Sequence, residues 1–67
     1  MRERKRTVRA HAIREGDDLY YDAKWWQVIE SKASLTGTSQ IVKLKRGSRE
    51  LGAQFHRGGL VKIIRRR

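Results

Sequence analysis

The sequence contains no cysteine and no proline among its 67 residues. Without cysteine it has neither a disulfide framework nor a thiolate metal site, which are two common ways of stabilising a small domain. Without proline, its turns depend on glycine, aspartate and serine. No apolar run approaches the roughly 20 residues of a membrane-spanning helix, and no signal-peptide segment follows the basic start. We therefore expect one small, soluble domain in the cytoplasm.

Acidic residues are few and lie mostly in one segment. Lys and Arg total 17 against 7 Asp and Glu, which gives a net charge of +10. Residues 1–14 hold six basic residues and one acidic residue. Residues 15–30 hold one basic residue and five acidic residues, and residues 31–67 hold ten basic residues and one acidic residue. An acidic segment of −4 therefore lies between basic segments of +5 and +9. This surplus indicates a polyanionic partner, because net charge bears on association more than on fold.

Short aromatic and β-branched runs, separated by polar turns, predict an all-β chain. The predicted strands are 7–13, 19–21, 25–30, 40–45, 51–55 and 60–64. Strands of about five residues at spacings of about 8–12 are typical of a small SH3-like barrel of five to six short antiparallel strands, and closing the sheet would remove its edges. We expect a disordered basic arm at 1–6, the barrel at 7–64 and a flexible basic tail at 65–67.

Trp25 and Trp26 cannot both lie in the core, because adjacent residues of a strand point to opposite faces. Trp26 shares its face with Val28, and we predict that these two side chains are buried. Trp25 is then at least partly exposed, either as a stacking platform or as a lid over one end of the barrel. The lid is the commoner arrangement in small barrels, and both alternatives remain open.

The segment that follows the first predicted strand carries a family resemblance. Residues 13–17 form an I-x-x-G-D turn, and after a short strand and a second turn residues 26–28 read W-x-V. This pattern resembles the opening of the KOW-like, SH3-like N-terminal domain of translation elongation factor P, and residues 41–45 are similar to its V-K-L-K strand. The resemblance covers about half the chain and implies the barrel and a leaning toward RNA or ribosome contacts. The loop tip at 35–38 lacks that family's basic residue, so elongation-factor activity is not implied.

Three aspartates, Asp17, Asp18 and Asp22, flank the predicted hairpin. They could gather a hard cation, yet carboxylates beside a hairpin more often cap turns and balance arginines. No Ser-His-Asp or Cys-His spacing indicates a nucleophile. We therefore predict a protein that is not an enzyme, with no catalytic residue, no metal site and no cofactor.

The residue types suited to nucleic acid are present. Lysine and arginine neutralise phosphates, and the rings of Trp25 and of Tyr20 or Tyr21 offer faces on which an unpaired base can stack. With no helix to read base edges, we expect contacts to the phosphate backbone with little sequence specificity.

A further group of cations follows the strand predicted at 40–45. Lys43 and Lys45 share one face of that strand, and Arg46 and Arg49 continue it across the turn at 47–48. We call these four residues the basic ridge. The predicted nucleic-acid-binding residues are Arg4, Lys5, Arg6, Arg9, Trp25, Lys43, Lys45, Arg46, Arg49, Arg57, Arg65, Arg66 and Arg67.

Two functions of different classes fit these features. The first is a non-enzymatic module that binds DNA or RNA, as a monomer or weak dimer. The alternative is a small adaptor or regulator that binds an acidic protein surface through the same SH3-like barrel. Attachment to an anionic membrane has less support, because no amphipathic helix accompanies the charge.

Overall fold

Six antiparallel strands form one sheet in the part of the chain that the computed structural model describes, residues 3–66. They are β1 (Glu3–Arg9), β2 (Asp18–Tyr21), β3 (Lys24–Ala33), β4 (Ser39–Arg46), β5 (Arg49–His56) and β6 (Leu60–Arg66). A turn of 3-10 helix, Ala10–Ala12, lies between β1 and β2. Residues 3–66 contain no helix long and apolar enough to cross a membrane. The predicted all-β fold of short antiparallel strands is confirmed.

The strand order across the sheet is β1-β6-β2-β3-β4-β5. Strands β2 to β5 form consecutive hairpins, whereas β6 inserts between β1 and β2. Over residues 3–66, β1 and β5 do not pair, so the expected closure of the sheet is not observed. Strand β1 extends the sheet from β6 and forms one edge, where its lysine and arginine side chains oppose pairing with another chain.

The sheet curls strongly around one core. Tyr21 on β2 and Phe55 on β5 are three strands apart, which across a flat sheet would separate them by about 14 Å. Their ring centroids are instead 5.7 Å apart, in an edge-to-face contact. The fold is therefore barrel-like, although over residues 3–66 no hydrogen bonds between β1 and β5 close the sheet.

Alternation along each strand directs its apolar side chains to the inside of this curl. The buried core consists of Ala10, Ile13, Leu19, Trp26, Val28, Val42, Leu44, Ala53 and Ile63. The predicted burial of Trp26 and Val28 is confirmed, with exposed fractions of 3% and 1%. Trp26 also donates its indole N–H to the carbonyl oxygen of Tyr21 at 2.9 Å, which satisfies the polar atom of this ring.

Two predicted domain boundaries are wrong. Strand β1 begins at Glu3, so residues 3–6 belong to the sheet and not to a disordered arm, and β6 continues to Arg66. The two strands pair over their whole length, because backbone hydrogen bonds form there whatever the charge of the side chains. Residues 1–2 and 67, the rest of the predicted arm and tail, lie outside the described residues.

Two strand ends also differ from prediction. The strand predicted at 7–13 ends at Arg9, and the Ala10 N–H donates to the carbonyl oxygen of Gly59 at 2.8 Å as the chain turns away from the sheet edge. Strand β3 is longer than predicted, because its last residue, Ala33, still pairs with Gln40 on β4. The predicted loop at 31–39 is therefore shortened to residues 34–38.

A buried ion pair ties β6 to the loop between β1 and β2. Asp17, whose side chain is 5% exposed, accepts hydrogen bonds from Nε and Nη2 of Arg65 at 3.0 and 2.8 Å. It also accepts the backbone N–H of Arg14 at 3.0 Å, as expected of a turn cap. Nη2 of Arg65 donates in addition to the carbonyl oxygen of Ala12. The hydrogen bonds to Asp17 raise the pKa of Arg65 above its ordinary value, although partial burial opposes this shift.

We expect Asp17→Asn to lower the free energy of unfolding by about 3 kcal/mol, because it leaves the half-buried guanidinium of Arg65 without its counter-charge. Arg65 is also directly opposite another cationic residue, Arg4, in the β1–β6 ladder. Urea denaturation measures the change. Glu15→Gln removes the same charge from an exposed position two residues away and is the control. Equal effects of the two substitutions would contradict this role of the ion pair.

The β2–β3 hairpin turns on two residues with left-handed backbone. Asp22 has φ 54° and Ala23 has φ 61°, and the flanking residues Tyr21 and Lys24 pair directly. Two positive φ values at the centre of a two-residue loop are typical of a type I′ turn, which suits the twist of adjacent strands. The turn predicted at 22–24 is therefore confirmed, and it sets the register of the hairpin.

Alanine is strained in this conformation, so Ala23→Gly should raise the free energy of unfolding by roughly 0.5–1 kcal/mol. The left-handed region costs an L-residue about 1–2 kcal/mol, and the extra entropy of glycine in the unfolded chain offsets part of the gain. Urea denaturation of the unmodified protein and of Ala23→Gly measures this change in the free energy of unfolding. Ala33→Gly, made in strand β3, should lower stability instead. A destabilising effect of both changes would contradict the assigned turn.

Candidate nucleic-acid interface

An open groove of about 510 Å³ lies on the outer face of the sheet, where β1, β6, β2 and β3 run side by side. The residues that line it are Lys5, Arg6, Thr7, Tyr20, Trp25 and Lys62. We call it the aromatic groove. Three of these residues are cationic, two are aromatic and one is threonine, and no described side chain in the lining is a carboxylate. Arg6 alternates with Lys5 and Thr7 and lies opposite the buried Ile63, so Lys5 and Lys62 are the cations on the face of the groove. A flat, anionic ligand matches this lining, because rings stack on flat groups and ammonium and guanidinium groups attract negative charge.

The aromatic wall of the groove is a cross-strand pair. Tyr20 and Trp25 are directly opposite in the β2–β3 ladder, and their ring centroids are 5.1 Å apart with the planes tilted by 58°. Tyr20 is 42% exposed and Trp25 is half-buried. Trp25 lies outside the set of described side chains that pack against the core, so its ring faces outward, and the platform stays a prediction. Tyr21 points inward, where it contacts Phe55.

The cationic side of the groove comes from the two strands at its other edge. Lys62 on β6 pairs with Thr7 on β1, and Lys5 lies two residues from Thr7 on the same face. Leu19 pairs with Ile63, so the next residues along β2 and β6, Tyr20 and Lys62, lie side by side. The ion pairs between described side chains, which do not include those of Glu3 and Arg66, involve none of Lys5, Arg6 and Lys62.

The basic ridge is present on the surface, but neighbouring carboxylates reduce its positive potential. Lys43 and Lys45 are exposed on β4 and alternate with the buried Val42 and Leu44, as predicted. Glu30 lies 3.8 Å from Nζ of Lys43 and 3.5 Å from Nζ of Lys32, and Glu50 is directly opposite Lys45. The remaining pair, Arg46 and Arg49, is exposed and directly opposite across the turn at 47–48.

The groove and the ridge share the outer face of the sheet. Gln27 lies two residues from Trp25 on the same face of β3, and it pairs with Lys45 on β4. A strand of nucleic acid that follows this face would therefore pass from the groove to the ridge without leaving the sheet.

The other predicted cations are spread more widely. Arg4 is exposed on β1, whereas Arg9 donates from Nη1 to the carbonyl oxygen of Gly58 at 2.8 Å. Arg57 makes a longer contact, 3.4 Å, with a carbonyl oxygen of the β3–β4 loop, and Arg65 is held by Asp17. The side chain of Arg66 and all of Arg67 lie outside the described residues.

Sequence analysis missed Lys62 and Thr7 as groove residues. Alternation along β6 does predict that Lys62 points outward, because its neighbours Val61 and Ile63 are partly and fully buried on the other face. Nothing local, however, indicates that β6 inserts between β1 and β2, and this insertion alone brings Lys62 beside Tyr20.

Among residues 3–66, no three His, Asp or Glu side chains are placed to hold a metal ion. Comparisons with models of protein families, with curated proteins and with solved structures found no match to this chain. The resemblance to the KOW-like domain therefore stays a prediction, and the groove and the ridge are interpreted from their own residues.

Acrylamide quenching of tryptophan fluorescence tests the opposite placement of the two indole rings. We expect Trp26→Phe, which leaves Trp25 as the reporter, to be quenched several-fold more strongly than Trp25→Phe, which leaves the buried Trp26. Acrylamide is uncharged, so the neighbouring lysines do not bias the comparison. Circular dichroism checks that both variants keep their strands. Equal quenching of two folded variants would contradict an outward Trp25.

Proposed function

We propose that this chain is a non-enzymatic module that binds nucleic acid, contacts its phosphate backbone and has little sequence specificity. The observation that supports this most directly is the lining of the aromatic groove, where Lys5 and Lys62 lie beside two rings and no described side chain is a carboxylate. Its lining also contains no imidazole, and carboxylates and imidazoles are the groups that act most often as general bases. The groove is thus suited to holding a ligand and not to transforming it.

The distribution of charge supports a polyanion. Asp17 is neutralised inside the fold by Arg65, and Glu30 is shared between two lysines. The cations of β1, Lys62 and the Arg46–Arg49 pair retain their charge on the surface. Neutralising phosphates with such residues releases condensed counterions, which drives binding in a sequence-independent way.

Little sequence specificity follows from the kind of donor at the surface. Arg6 alternates with Lys5 and Thr7, so the cations on the face of the groove are the two lysines, Lys5 and Lys62. An ammonium group contacts a phosphate as a point charge without reading the pattern of a base edge. The two rings accept any base, because every base has a face that can stack.

The adaptor alternative uses the same charge on a different partner. An acidic protein surface would be attracted by the ridge and by β1, but carboxylates do not need the ring faces of Tyr20 and Trp25. The aromatic pair therefore favours nucleic acid.

Salt dependence of binding tests the proposal. Labelled DNA and RNA oligonucleotides should bind at about 50 mM salt, and the slope of log K against log[salt] should be near −4 to −5 if about five phosphates are contacted. Replacing Lys5 and Lys62 together by glutamine should flatten this slope by roughly 0.7–0.9 for each phosphate contact that is lost.

The matched control replaces Arg14 and Lys32, both exposed and outside the groove, by glutamine. It removes the same charge and should leave the slope nearly unchanged. If neither DNA nor RNA binds at about 50 mM salt, the proposal is wrong. An acidic protein that stays bound after nuclease treatment would then support the adaptor.

A further inference from the structure

We infer that the aromatic groove binds one unpaired nucleotide, with its base on the ring of Trp25 and its phosphate between Lys5 and Lys62. The protein would then prefer single-stranded nucleic acid to duplex. This inference rests on the proposed function and narrows it, since phosphate contacts alone would serve a single strand and a duplex alike.

The size and shape of the groove fit a nucleotide within a longer strand. Its volume of about 510 Å³ lies within the roughly 300–1,000 Å³ of sites that hold small molecules. The groove is open to solvent and not an enclosed cavity, so a nucleotide within a strand can reach it from the surface. A duplex keeps its bases stacked inside and presents no base face to a side chain on a convex sheet.

The two rings leave a surface on which a base can lie. Because Tyr20 and Trp25 are tilted by 58°, they form an angled wall and neither ring covers the whole face of the other. The side chain of Trp26 is turned into the core and holds β3 in place through its hydrogen bond to Tyr21. Trp25 therefore lies on a strand that is held in place by the core, which lowers the conformational entropy that the protein loses when a base stacks on the ring.

The phosphate would be held from the adjacent strands. Lys5 and Lys62 lie on β1 and β6, which pair directly, and the Thr7 hydroxyl can donate to the same anion because Thr7 is opposite Lys62. Since the described side chains of the lining are cationic or uncharged, the groove favours an anionic ligand over a cationic one. An acidic peptide would satisfy the lysines and leave the rings unused. A nucleotide uses both halves of the groove.

Competition between a single strand and a duplex tests the inference. The probe is a labelled oligothymidylate of about ten nucleotides, and the competitor is a duplex of equal phosphate number. We expect the single strand to bind about tenfold more tightly and to quench the fluorescence of the Trp26→Phe variant, in which Trp25 reports alone.

Trp25→Ala should weaken binding of the single strand about tenfold and leave duplex binding within about twofold. Trp25→Phe keeps a ring and should retain most of the affinity. Leu35→Ala, which shortens a fully exposed apolar side chain in the loop after β3, is the control and should have no effect. If Trp25→Ala fails to fold, the quenching of Trp26→Phe still decides the question.

The outcomes separate the two proposals. Equal binding of single strand and duplex, with no change of Trp25 fluorescence, would overturn the nucleotide site and leave the proposed function in place. Failure of both probes to bind at about 50 mM salt would overturn the proposed function as well.

Discussion

The register of the β2–β3 hairpin is the constraint on which both the core and the groove depend. Two left-handed residues, Asp22 and Ala23, join the strands so that Tyr20 faces Trp25 and Leu19 faces Trp26. Because side chains alternate with a period of two, a slip of one residue in one strand would exchange the faces of the two side chains that this strand contributes. One turn therefore decides that the buried ring fills the core while the adjacent ring is offered to the solvent.

A contact between distant parts of the chain places the cations beside these rings. Asp17 and Arg65 are 48 residues apart in sequence, and their bidentate ion pair holds the end of β6 against the loop that precedes β2. Strand β6 in turn carries Lys62 and positions β1 with Lys5. The acidic segment thus contributes one buried carboxylate, that of Asp17, to the fold, and the strands that it holds carry Lys5 and Lys62 on the outer face.

Local patterns predicted the parts of the structure that depend on neighbours in sequence. Alternation identified Trp26 as buried and Lys43 as outward, and the turn at 22–24 could be recognised from its residues. The placement of residues 3–6 in a strand could not be predicted, because a run of charged side chains carries no apolar period and the strand forms through its backbone. The neighbourhood of Lys62 depends on strand order, which arises from packing between residues far apart in the chain.

Chemical-shift mapping with a short single-stranded oligonucleotide tests the central claim most directly. The two indole N–H groups provide an internal comparison, because that of Trp26 is buried and bonded to Tyr21 whereas Trp25 lines the groove. We predict that the Trp25 indole signal and the amides of β1 and β6 around Lys5 and Lys62 shift on titration, while the Trp26 indole signal stays in place. Shifts confined to the β4–β5 ridge, with both indole signals unmoved, would contradict it.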